Sequence, residues 1–205
     1  FNGNTPDSGL QTERHTNIES RVPNCRFRSF FGRICNPLRV GIMRTDYSSL
    51  GPSKVPPQIE PSLKVGIVPT PDFTLFSLSC FVEFLRLSSD ESDFSRQIYC
   101  SWELLSHDDK PIRSSCGFPL VPTKSYGDPT AYDYIVVHGG VLHGNTPIPD
   151  ELYRFVEVAV KVGVPIVGLC TGQFVLAEMG LLAGRRCAVH FSLSSALAQS
   201  FPDVI

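Results

Sequence analysis

The sequence predicts a doubly wound α/β domain built on a mostly parallel sheet, and three observations carry that prediction. Apolar, largely β-branched runs (Leu63 to Val68, Tyr134 to His138, Val164 to Leu169) alternate with segments whose apolar residues recur at helical spacing. Each run is continuous, which is how strands read when helices cover both faces of the sheet. Gly and Pro punctuate the joints: Pro69 and Pro71 after the first run, Gly139-Gly140 after the second, Gly163 before the third.

In chain order, Leu63-Lys64-Val65-Gly66-Ile67-Val68 predicts a buried strand ended by Pro69 to Pro71. Leu75, Leu78, Val82 and Leu85 then share one helical face, and the helix closes at Arg86 and Leu87. Gln97 to Leu105 alternates well enough for a second strand. Lys110 to Val121, with Pro111, Gly117 and Pro119, suits a hairpin or short edge strands. After the Tyr134 to His138 strand, Leu152, Phe155, Val156, Ala159 and Val160 line a helix from about Pro149 to Val162, stopped by Gly163. The Val164 to Leu169 strand leads into a helix through Phe174 to Met179, ended by Gly180. A short strand at Cys187-Ala188-Val189 and a helix from about Ser192 complete the expectation.

Residues 1–62 differ from the rest. They contain many Pro, Ser, Asn and Arg and no sustained apolar period, so an irregular extension is expected, with a short element around Leu38 to Met43. Eight Lys or Arg against five Asp or Glu give this part an excess of three positive charges, leaving the remainder at −5. A basic nucleic-acid-binding arm is the alternative, but the arginines are dispersed rather than clustered. Residues 63–205 form the expected domain.

Composition narrows the function. A net charge of −2 argues against a nucleic-acid surface spread over the whole chain. No segment approaches the roughly 18 apolar residues needed to span a bilayer, so no membrane role is expected. The start, Phe1-Asn2-Gly3-Asn4, lacks the charged and apolar regions of a signal peptide. Seven cysteines form neither a CxxC pair nor a metal-ligand spacing, which fits free thiols in a reducing, cytoplasmic compartment. No metal and no cofactor are expected.

One thiol stands apart. In Val164-Pro165-Ile166-Val167-Gly168-Leu169-Cys170-Thr171-Gly172-Gln173, a strand delivers Cys170 into a sharp turn before a helix. Gly168 and Gly172 allow the close backbone approach that such a turn demands. Partial positive charge from the N–H groups opening the helix favours thiolate over thiol. The result is a nucleophile elbow with Cys in place of Ser. The alternatives are a buried cysteine that fills space, or a redox sensor whose thiol peroxide converts to a sulfinate. In doubly wound sheets ligands collect at the carboxyl ends of strands. The turn after Val68, the Gly139-Gly140 pair and Cys170 all fall at such ends, and are expected to converge.

The segment Gly168-Leu169-Cys170-Thr171-Gly172-Gln173-Phe174-Val175-Leu176-Ala177-Glu178-Met179-Gly180-Leu181-Leu182-Ala183-Gly184-Arg185-Arg186, followed by Val189-His190-Phe191, resembles the PfpI/ThiJ superfamily of class I glutamine-amidotransferase-like domains. More narrowly, it is similar to the amino-terminal domain of GlxA-type regulators in the AraC family. The resemblance covers about Leu63 to Ile205 and implies a flavodoxin-like sandwich. It makes Cys170 the elbow thiol, and Gly139 and Gly140 donors of backbone N–H groups to an oxyanion or bound carboxylate. His190 matches a histidine that enzyme members place near the cysteine, where it acts as proton acceptor or as a hydrogen-bonded wall residue. Thr171 and Ser77 join the ligand-binding candidates. His138 is expected to cap its strand and His143 to be solvated, with ligand contact the alternative for both.

Two departures from the pattern bear on function. Superfamily members commonly carry Asp or Glu early in the first helix, hydrogen-bonded to the elbow cysteine, and that position is Ser77 here. Asp72 could substitute from the loop, whereas Glu83, six residues beyond Ser77, points away. Second, the sequence ends at Phe201-Pro202-Asp203-Val204-Ile205, where such regulators continue into further strands and a helix-turn-helix module, so a carboxyl-terminally truncated fragment is expected. The implied function is a non-catalytic ligand-sensing or dimerisation domain of an AraC-type regulator. It would bind a small molecule, pair as a homodimer, and reach DNA only through a module absent from this chain. The alternative is a cysteine-dependent amidase, isonitrile hydratase or glyoxalase-like enzyme using Cys170 and His190.

Overall fold

Leu63–Pro69 forms β1 and Tyr134–His138 forms β6, the two central strands, paired in parallel with Val65 opposite Tyr134 and Pro69 opposite His138. The computed structural model describes residues 60–90, 95–142, 144 and 146–205. The element expected around Leu38 to Met43, and His143, lie outside the described residues. β2 (Cys100–Ser106) flanks β1, and β7 (Ile166–Leu169) flanks β6. A two-residue β5 (Lys124–Ser125) adds to β2, giving a five-stranded, wholly parallel sheet in the order β5-β2-β1-β6-β7. β3 (Ile112–Arg113) and β4 (Pro119–Leu120) make a separate antiparallel ribbon.

Alternation along the strands sends successive side chains to opposite faces. On one face Val68, Ile135 and Val137 pack with Leu152, Phe155, Val156 and Ala159 of α2 (Asp150–Lys161) and with Val175 and Leu176 of α3 (Gly172–Glu178). On the other face Leu63, Val65, Ile67 and Val136 are buried, covered by α1 (Leu75–Ser89), whose Leu78 and Leu85 are buried too. Helices on both faces explain why β1 and β6 read as continuous apolar runs. α4 (Ser194–Ser200) follows a 3-10 turn at Phe191–Leu193. Among the described residues no helix is long and apolar enough to cross a membrane.

Three local differences from the sequence expectation have physical causes. The second strand begins at Cys100 rather than Gln97, because the preceding residues are tied to the end of α1. There Ser89 Oγ accepts from Ile98 N at 3.0 Å and the Ser89 carbonyl accepts from Tyr99 N at 3.0 Å. The polar Lys124–Ser125 strand was not expected, since it has no apolar run to mark it and is held by hydrogen bonds to β2: Thr123 N donates to Leu104 O, Tyr126 N to Ser106 O, and Lys124 Nζ to Glu103 Oε2. Cys187-Ala188-Val189 is not a strand. It runs as an irregular, half-buried segment, held by Gln173 Nε2 donating to Ala188 O at 2.9 Å, with no ladder partner among the described residues.

Candidate functional site

The carboxyl ends of β1, β6 and β7 meet at one point, stitched by main-chain hydrogen bonds. Thr70 N donates to His138 O at 2.8 Å, Gly139 N to Leu169 O at 3.1 Å, and Thr74 N to Gly139 O at 3.2 Å. Gly140 lies hard against the β1–α1 loop, so closely that a Cβ there would sit 1.9 Å from Asp72 O. Only a residue without a side chain permits that approach.

Cys170 occupies the turn between β7 and α3 with φ +56°, in the left-handed region that costs a non-glycine residue about 1–2 kcal/mol. Its thiol donates to Thr74 Oγ1, with Sγ and Oγ1 3.6 Å apart. Thr74 is the N-cap residue of α1, yet its side chain makes no capping hydrogen bond. Thr171 behaves alike at α3: it makes no capping bond and donates instead to Gly140 O at 2.7 Å. Two threonines in capping positions thus direct their hydroxyls into the site rather than to their own helices, although N-cap Ser or Thr usually stabilises a helix by about 1 kcal/mol.

Beneath this lies a buried polar pair. His138 is fully buried at the end of β6, packed edge-on against Phe73 with ring centroids 5.7 Å apart. Its Nε2 is 3.0 Å from Ser77 Oγ, and its Nδ1 has no hydrogen-bond partner. Burial pushes the imidazole pKa down to about 4, so the ring is neutral at neutral pH. His138 therefore ends its strand as a core residue.

The site thus brings Ser77, Gly139, Gly140, Cys170 and Thr171 into one hydrogen-bonded cluster, with Thr74 at its centre. His190 has other partners. It is exposed, its Nδ1 accepts from Ser192 N at 3.3 Å and lies 2.7 Å from Ser192 Oγ, and its ring rests on Phe191. Of the two glycine N–H groups, that of Gly139 is committed to Leu169, which leaves Gly140 as the one main-chain donor of the pair for a bound anion. Among the described residues no carboxylate reaches the thiol by hydrogen bond. Asp72 turns toward Gly144, and Glu83 pairs with Arg86 at 2.7 Å. Among the described residues no group of three or more His, Cys, Asp or Glu could hold a metal ion.

Thr74 was not singled out from the sequence, though its place directly before a helical run marks it as a capping position. That signal locates the residue but not the direction of its hydroxyl.

Comparison with known proteins agrees with this geometry. The DJ-1/PfpI family profile matches residues 93–203. The chain is 33% identical over 150 residues to the HTH-type transcriptional regulator GbdR of Pseudomonas aeruginosa, a match covering 73% of this chain and 40% of that protein. It is 30% identical over 96 residues to the isonitrile hydratase of Pseudomonas putida, covering 47% of this chain and 40% of that one. The chain therefore spans about two fifths of the length of these curated relatives. Among solved structures, an AraC family transcriptional regulator from Pseudomonas putida superposes with a TM-score of 0.53 at 25% identity, covering 69% of this chain and 74% of that one. With a profile spanning more than half of the sequence and a parallel sandwich that gathers Cys170 and Gly140 at its strand ends, the chain belongs to the DJ-1/PfpI family.

Proposed function

We propose that this domain is the ligand-sensing part of an AraC-type transcriptional regulator, and that Cys170 is a pocket thiol rather than a catalytic nucleophile. The observation that carries the reading is the identity of the group facing the thiol. It is the Thr74 hydroxyl, while the helix position expected to hold a carboxylate is Ser77, which is spent on Thr74 O and His138. An acyl-transfer or hydration mechanism needs a base beside the sulfur to take its proton. A threonine hydroxyl is no such base, and the hydrogen bonds of His190 run to Ser192. The similarity to GbdR supports the regulatory half of the reading.

In this reading the partners are a small molecule and a second copy of the chain, in the cytoplasm. DNA is contacted through a helix-turn-helix module of the kind that the relative's name announces, not through the α/β domain.

One observation favours an enzymatic function, the similarity to an isonitrile hydratase. The two readings separate in an alkylation experiment. Iodoacetamide at pH 7, followed by peptide mapping, should modify Cys170 no faster than glutathione. A rate ten or more times that of glutathione would mean an activated thiolate and would defeat the non-catalytic reading.

A further inference from the structure

The strand ends carry a concavity on the β1–β2 side of the sheet, not lined by Cys170. It is a cleft of about 290 Å³ between the β1–α1 loop, the end of β2, the β3 strand and the segment leading into α2. Pro69, Tyr126 and Leu152 give it apolar walls, and Asp72 and Arg113 line it with opposite charges.

The relation between those two residues is unusual. Asp72 N donates to Arg113 O at 2.9 Å, so their backbones are in direct contact. Yet the Asp72 carboxylate and the Arg113 guanidinium form no ion pair with each other or, among the described residues, with anything else. The other charges of the cleft are already matched: Lys110 Nζ lies 3.0 Å from Asp108 Oδ2, and His107 Nε2 lies 3.6 Å from the same oxygen. A neighbouring carboxylate and guanidinium normally close on each other, because bidentate pairing is strong for this couple. Here both residues instead line one cavity of a size suited to a small molecule.

We infer that this cleft is the sensory ligand site, and that it takes a small zwitterion of amino-acid size, its cationic nitrogen on Asp72 and its carboxylate on Arg113. The inference rests on the ligand-sensing reading and adds where the ligand sits and its chemical class. The apolar part of the ligand lies on Pro69, Tyr126 and Leu152. A simple anion meets Asp72 and a simple cation meets Arg113, so each is disfavoured by a like charge.

The site also has a route to the rest of the domain. Asp72 holds φ +55°, its carbonyl accepts from Val141 N, and two residues on, Thr74 accepts from Cys170. Between them Phe73 is clamped by bridges to both Ser114 and Gly140. A ligand that pulls on Asp72 therefore pulls on the loop that carries the partner of Cys170.

The test is a thermal-shift and calorimetric titration of the 205-residue chain with glycine, L-alanine, L-valine and L-leucine. Each is set against the carboxylic acid and the amine that keep its carbon skeleton but only one charge. At least one zwitterion should raise Tm and bind, while its single-charge analogues bind at least tenfold more weakly. Asp72→Asn, chosen because Asn tolerates positive φ, and Arg113→Gln should each weaken binding at least tenfold, and Lys161→Gln should not. The inference is overturned if no zwitterion binds, if a single-charge analogue binds equally well, or if binding survives in both variants. Because these titrations do not read the reactivity of Cys170, they fail or succeed independently of the alkylation experiment.

Discussion

Ser77 Oγ and His138 Nε2 lie 3.0 Å apart, and that contact fixes the tautomer of a buried ring. The Ser77 hydroxyl donates to Thr74 O at 3.1 Å, so its lone pairs are what it offers to His138. The ring must then carry its proton on Nε2 and leave Nδ1 bare, which matches the absence of a partner there. Ser77→Ala removes the acceptor that, among the described residues, meets this buried N–H. Urea unfolding should show a loss of about 1–3 kcal/mol, the usual cost of orphaning a buried donor. Unchanged stability would mean that the ring adopts the other tautomer.

The same ring sets a pH dependence. Its pKa is about 4 in the folded protein against 6.5 for an ordinary histidine. Between those values the unfolded chain binds a proton that the folded chain refuses, so stability rises with pH across the window and falls as pH drops from about 6.5 toward 4. The full effect is on the order of 3 kcal/mol. His138→Gln should flatten this part of the stability profile relative to the parent, carboxylate titrations being common to both. In an NMR titration the His138 ring resonances should not move between pH 7 and pH 5.5.

Sequence and structure agree best where burial alone decides the conformation. β1 and β6 were legible because both of their faces are covered, so their positions are apolar apart from Lys64 and His138, and α2 because one face is apolar and the other charged. Cys170 was legible as a turn residue because strand, glycines and helix all pointed to it, and its positive φ is the backbone signature of that turn. What was not legible depends on pairings distant in sequence. The Cys187-Ala188-Val189 triplet has strand composition, but a strand needs a neighbour. The contact between Thr74 and Cys170 joins residues 96 apart, and neither residue type announces the other. The cleft is assembled from several loops, with only its prolines to mark them.

The thiols should differ sharply in reactivity. Cys116, exposed in the β3–β4 turn, has Sγ 3.3 Å from Ser114 Oγ, and hydrogen bonds from that hydroxyl and from the turn backbone lower its pKa. Burial pushes Cys100 up to about 12. Only the thiolate alkylates at an appreciable rate. Iodoacetamide at pH 7.5 should therefore label Cys116 at least tenfold faster than Cys100, and Ser114→Ala should slow Cys116 while leaving Cys100 unchanged. Equal rates at Cys116 in the parent and the variant would show that Ser114 does not stabilise the thiolate.

Two glycine substitutions should separate close approach from backbone conformation. Gly163 has φ +83° and open space where a Cβ would go, so Gly163→Ala costs only the left-handed backbone, about 1–2 kcal/mol. At Gly140 the added carbon would lie 1.9 Å from Asp72 O and 2.4 Å from Phe73 Cα, both main-chain atoms that a side-chain rotation cannot move. Relief requires pushing apart the loop that holds Asp72 and Thr74 and the strand end that holds Gly139, which are bound together by the Thr74 N to Gly139 O and Val141 N to Asp72 O hydrogen bonds. Gly140→Ala should accordingly cost more than about 4 kcal/mol, in the range reserved for a few drastic mechanisms. If the variant remains folded, Cys170 should react at a changed rate, because the loop carrying its Thr74 partner has moved. A Gly140→Ala protein as stable as Gly163→Ala would show that the loop and the β6 end are not rigidly joined.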